Sequence, residues 1–127
     1  MLAQGDLVPH VELLTFDGGR FRYSDIWQQR NLVLVALPGG HSASGERYAS
    51  ELAARAAEFA EQQTDCVITR ERVPGLPAPG VLVADRWGEI AYVSSAGDAA
   101  DLTPAQELLD WIVHVQSRCP ECEGESK

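Results

Sequence analysis

Two thiols stand three positions apart in Cys119-Pro120-Glu121-Cys122. That spacing closes a small disulfide, or supplies half of a tetrahedral four-cysteine zinc site. The pair follows a helix whose pattern runs to about Arg118, so it stands at the negative end of that helix's dipole. Glu121, Glu123 and Glu125 add negative charge, opposed nearby only by Arg118. Both effects raise a thiol pKa above its ordinary value of about 8.5, so the thiolate is scarce at neutral pH. A bound metal reverses this by deprotonating the thiols itself. The chain has no second Cys pair, so zinc at Cys119 and Cys122 needs a histidine such as His114 or another subunit. Three readings stay open: a reversible dithiol/disulfide, a zinc site, and a tail without chemistry. The third cysteine, Cys66, sits in the apolar run Cys66-Val67-Ile68-Thr69 and reads as a small, inert hydrophobe.

A second group follows Pro38-Gly39-Gly40: His41, Ser42, Ser44 and Arg47, at the start of a helical pattern. A helix N-terminus beside an arginine binds anions. A serine next to a histidine suggests nucleophilic catalysis, but no acid stands nearby to orient the imidazole. The plainer reading is capping by Ser42 or Ser44 with a solvated His41, and the sharper one is an anion or partner contact.

The elements around these residues are legible. Val11–Phe16 and Arg20–Tyr23 flank Asp17-Gly18-Gly19 and read as a hairpin, and Ser24 is placed to cap a short helix. Leu32–Leu37 is apolar at every position, the pattern of a strand covered on both faces. From Ser44 to about Gln63 the period is helical, with Tyr48, Leu52, Ala56, Phe59 and Ala60 on one stripe and a Glu51–Arg55 pair outside. Val73–Gly80 holds three prolines and predicts irregular structure. Val81–Ala84 and Ile90–Val93 flank Asp85–Gly88 as a second hairpin. Thr103, Pro104 and Gln106 predict a capping box for a last helix buried through Leu108, Trp111, Ile112 and Val115.

The 127 residues carry 10 Lys+Arg against 19 Asp+Glu, a net charge of −9 that repels phosphates and disfavours nucleic acid or an anionic membrane as partner. No apolar run approaches a membrane span, and Met1–Asp6 has no signal-peptide character, so the expectation is a cytoplasmic protein. Three cysteines cannot build a disulfide framework.

Gly5…Val8-Pro9-His10-Val11-Glu12-Leu13, Asp17-Gly18-Gly19, Tyr23-Ser24-Asp25-Ile26 and Gly80–Ile90, in this order around the apolar strand, carry a family likeness. On them, residues 5–115 resemble the redoxin branch of the thioredoxin fold, which includes peroxiredoxins of the alkyl hydroperoxide reductase/thiol-specific antioxidant type. The resemblance implies an α/β thioredoxin-like fold: a central mixed sheet with helices on both faces and an N-terminal β-hairpin. The domain would span 1–118, with 119–127 as an acidic tail. It implies a loop where the family has a helix between residues 70 and 80. Pro79 resembles the cis-proline that faces the active site in such proteins, and it stands near the place of the peroxiredoxin strand arginine.

The resemblance also shows what is missing. Against the peroxiredoxin pattern Pro-x-x-x-Thr/Ser-x-x-Cys, Pro38 and Ser42 match and Gly45 takes the cysteine's place. Against Cys-x-x-Cys, the residues are His41-Ser42-Ala43-Ser44. Neither alignment supplies a thiol, so peroxidase chemistry by the family's mechanism is lost. The expectation is thiol–disulfide exchange through Cys119 and Cys122 with a protein partner or thiol reductant, with no cofactor. The alternative is a non-catalytic binding or assembly module whose tail cysteines are inert or hold zinc with a partner. A homo-oligomer is compatible with either.

Overall fold

The computed structural model describes residues 1–117; the Cys119–Cys122 motif and the 119–127 tail lie outside them. Six strands and three α-helices follow in the order β1 (Glu12–Leu14), β2 (Arg20–Arg22), β3 (Asn31–Ala36), α1 (Ala43–Ala54), α2 (Ala56–Glu61), β4 (Thr64–Thr69), β5 (Gly80–Ala84), β6 (Ile90–Ser95) and α3 (Ala105–Ser117). Short 3-10 turns occupy Tyr23–Asp25 and Ala99–Asp101. The main sheet has the order β4-β3-β5-β6, and β1 with β2 forms the separate hairpin. β3 runs parallel to β4 and antiparallel to β5. No helix among the described residues is long and apolar enough to cross a membrane.

Every residue of β3 is buried. The alternation of a strand sends Val33 and Val35 to one face and Leu32, Leu34 and Ala36 to the other, and each group seeds its own core. The first face is covered by all three α-helices, through Tyr48, Leu52, Phe59, Leu108 and Ile112. On the second face the cover is the N-terminal hairpin, the 3-10 turn at Tyr23 and the loop residues Val73 and Leu76. The sheet is thus clad on both sides as expected, but on this side by a 3-10 turn and a loop in place of α-helices. The Pro-rich segment after β4 cannot supply backbone donors to a helix, and the family's helix there is absent.

Three local expectations change. The helix expected over 44–63 breaks at Arg55 (φ −112°, ψ 15°), where the guanidinium grips Glu58 at 2.7 and 3.0 Å instead of pairing with Glu51. The break keeps Phe59 in the core and leaves Ala56 and Ala60 in solvent. The 3-10 turn begins after Arg22 with no side-chain cap, so Ser24 does not cap it. The capping box of α3 is replaced by other bonds: the Thr103 hydroxyl meets Tyr92 Oη at 2.8 Å, and Gln106 donates to Asp110. Trp111 is only partly buried, stacked on Tyr92 with centroids 5.1 Å apart.

Asn31 opens β3 as a buried amide. Its Nδ2 donates to Gln116 Oε1 at 2.7 Å and to the Gln62 carbonyl at 3.1 Å. An amide in such a place must be satisfied, and here it fastens the end of α3 to the first residue of the central strand. Leu34 is fully buried at the middle of β3. Leu34→Ala should cost roughly 2–5 kcal/mol in denaturant melts through lost burial and a cavity. A loss under about 0.5 kcal/mol, typical of a surface change, would show that the core is elsewhere.

Candidate functional site

In this fold the residues that follow β3 enter the first turn of α1. Parallel pairing sets Ala36 beside Thr69, so Arg70, the next residue after β4, stands alongside that loop. Leu37 N–H bonds the Thr69 carbonyl at 2.8 Å and holds the two strand ends together. Ser42 is extended (φ −145°, ψ 148°), and its Oγ accepts from Gly45 N–H at 3.0 Å. This is a helix cap of the ordinary kind. A cleft of about 500 Å³ opens beside it, bordered by Pro38, Gly39, Arg70, Arg72, Pro77 and Ala78. The Ala78–Pro79 peptide at its rim is cis.

The expected site residues do not converge on one point. His41 Nδ1 lies 3.3 Å from the Arg70 guanidinium, which donates to it. Ser42 is engaged in the cap. Ser44 faces Asp98 in the turn before α3, where the Ala100 N–H first and the Ser44 hydroxyl second hold the Asp98 carboxyl below its usual range. Arg47 is exposed on α1 and joins none of these contacts among the described residues. Arg70 is the residue that sequence reasoning missed. Its guanidinium also lies over the Phe16 ring, 4.0 Å from the centroid. The signal was available in the pairing of β3 with β4, since the residue after each parallel strand comes to the same sheet end.

Gly45, which the peroxiredoxin pattern aligns with its cysteine, is buried in the first turn of α1. A Cβ there would stand 2.9 Å from Ser42 Oγ, so a side chain at 45 requires the serine hydroxyl to shift. The Gly45 backbone N–H is bonded to the Ser42 hydroxyl.

Cys66 is the free cysteine of the described residues. It sits in β4, opposite Val33 in register, at the edge of the helix-side core. An apolar groove of about 310 Å³ between β4, α1 and α2 passes over it. Burial, with the Asp65 charge adding to it, pushes its thiol from an ordinary 9.0 up to about 12. It is therefore a neutral thiol, and it lies in mid-strand, away from the α1 cap.

The sign of its contribution to stability follows. The folded state keeps the proton to about pH 12, while the unfolded chain releases it near 9.0. Stability from this group is complete below pH 9 and is lost as the pH rises from 9 to 12. Buried Tyr23, likewise pushed to about 12, acts in the same direction. Cys66→Ala should flatten part of the alkaline fall in Tm across that window. An unchanged alkaline slope would contradict the burial of this thiol.

No protein-family model and no curated protein matches the chain. Solved structures do. Mycobacterium tuberculosis AhpC is similar with a TM-score of 0.70 and 15% identity, over 96% of this chain and 98% of that one. PrxQ from Xylella fastidiosa gives 0.69 and 11% identity over 90% and 97%. The thioredoxin domain of a thiol-disulfide oxidoreductase from Bacteroides vulgatus gives 0.58 and 12% identity over 88% and 99%. At such identities the likeness is one of architecture: this chain is built on the thioredoxin-like fold in the form that these peroxiredoxins share.

Proposed function

We propose that the chain is a peroxiredoxin-like redoxin that has lost peroxide chemistry at the start of α1 and exchanges disulfides through Cys119 and Cys122. The observation that supports this reading is the first turn of α1, which holds no cysteine and where Ser42 accepts from the Gly45 N–H. Cys66 is buried and keeps its proton. Of the three cysteines in the chain, the tail pair is then the one left for exchange. In the reaction, one tail thiolate attacks a partner disulfide and releases one partner thiolate. The second tail thiol, losing its proton, resolves the mixed disulfide. The products are a Cys119–Cys122 disulfide and a reduced partner, with two electrons transferred. The partner is a protein disulfide or a low-molecular-weight thiol system, in the cytoplasm, and no cofactor is required. Copies of the chain associating with one another is compatible with this scheme.

A second reading is a non-catalytic binding or assembly module, its tail inert or holding zinc with a partner. The same empty first turn favours it, and exposed His114 on α3 stands close enough in sequence to act as a third ligand.

The two readings separate in one preparation. Under mild oxidant the exchanging dithiol should lose two titratable thiols and two mass units, with Cys66 protected until denaturation. The rate should rise with pH, because the thiolate is the nucleophile. Cys119→Ser with Cys122→Ser should abolish disulfide exchange and leave Tm nearly unchanged, since so short a loop adds little chain-entropy stabilisation. Copurifying zinc that is lost in the double variant together with self-association would replace the exchange reading by the module. Loss of neither activity, metal nor association would leave the tail passive.

A further inference from the structure

Gln116, in the last turn of α3, accepts from Asn31 Nδ2 at 2.7 Å and from the Arg86 guanidinium at 3.3 Å. The helix therefore ends at the pole of the sheet where β3 begins, beside the β5–β6 turn. The α1 cap lies at the other pole, past the end of β3, a strand length of about 17 Å away. Cys119 is two residues beyond Ser117, a reach of about 7 Å at full extension. The dithiol is tethered to the pole that the fold's usual thiol chemistry does not use.

That pole carries an uncovered aromatic surface. Trp27 is 39% exposed, Trp87 44% and Leu7 69%. Trp27 Nε1 donates to the Trp87 carbonyl at 3.2 Å, and His10 meets the Trp27 ring edge-on at 4.9 Å, so the Trp27 indole is fixed beside the turn that carries Trp87. Leu7 is drawn in by its bridge to Glu89. The Arg86 guanidinium lies 5.6 Å from the centre of the Trp87 ring, and among the described residues no carboxylate reaches it as a salt bridge. Asp85, in the same turn, has one carboxylate oxygen occupied by the Trp87 and Glu89 N–H groups. Exposed apolar patches of this kind mark docking surfaces.

We infer that residues 118–127 are the occupant: the tail folds back over Trp27 and Trp87, with its glutamates against Arg86 and Pro120 on the indoles. Three features select it over other occupants. The chain leaves α3 at this surface. The segment carries Glu121, Glu123 and Glu125 within five residues, complementary to the arginine. Its ten residues extend to about 33 Å, ample to cross the patch. Docked there, Cys119 and Cys122 stand beside a guanidinium, which offsets the negative helix end and neighbouring glutamates. The docking is independent of whether the dithiol exchanges with a partner.

The test uses the full chain, ¹⁵N-labelled, and reads the indole N–H signals of its three tryptophans. The variant Glu121→Lys/Glu123→Lys/Glu125→Lys should move the Trp27 and Trp87 signals and leave Trp111, which reports the intact fold, in place. Raising salt to 1 M should move the wild-type Trp27 and Trp87 signals in the same direction, by screening, and leave the variant's where they are. Unmoved Trp27 and Trp87 signals in the variant would overturn the docking. So would signals that shift only with protein concentration, which would assign the surface to a second copy of the chain. Disulfide exchange measured on the same variant separates this outcome from the fate of the thiol chemistry.

Discussion

β3 has no exposed face, and this one constraint orders the molecule. A six-residue strand whose every side chain is buried must be interior to the sheet and clad on both sides. Val33 and Val35 recruit the helices, and Leu32, Leu34 and Ala36 recruit the hairpin and the Pro-rich loop. Asn31 at its start is satisfied by Gln116 and the Gln62 carbonyl, which fixes where α3 ends. Leu37 just past its end is tied to Thr69, which fixes where α1 begins and where Arg70 stands. The two poles of the sheet, and the chemistry each can host, descend from the two ends of one strand.

At the α1 pole the polar groups serve structure. Ser42 caps, Ser44 faces Asp98, and His41 meets Arg70. A helix start in this fold is a place where N–H groups and dipole favour an anion. Here a serine hydroxyl accepts from the Gly45 N–H at 3.0 Å, and no cysteine stands in the first turn. The opposite pole carries Trp27, Trp87 and Arg86, beside the last described turn of α3.

Much of this was legible in residues. The uniformly apolar Leu32–Leu37, the two hairpins and the Pro-rich gap report their structure directly, because burial on both faces, turn glycines and missing donors each leave a local signature. What sequence could not give came from packing between distant segments. The break at Arg55 has no proline or glycine to announce it. Thr103 and Gln106 have the spacing of a capping box, yet Tyr92 and Asp110 claim them. The site residues looked like one constellation because they are adjacent in sequence, and the fold hands each to a different neighbour. Arg70 and the Trp27–Trp87 surface belong to pairs far apart along the chain, and only the sheet's register and the turn contacts bring them together.

The central claim is that this peroxiredoxin-like fold has no reactive thiol at the head of α1. Its most direct test is the second-order rate of hydrogen peroxide with the fully reduced full-length chain, followed by thiol loss and intact mass at neutral pH. The account predicts slow oxidation confined to Cys119 and Cys122, with Cys66 untouched, and no turnover when a thioredoxin-type reductant is supplied. A rate of about 10⁴ M⁻¹s⁻¹ or faster, in the range of efficient enzymes, would contradict it.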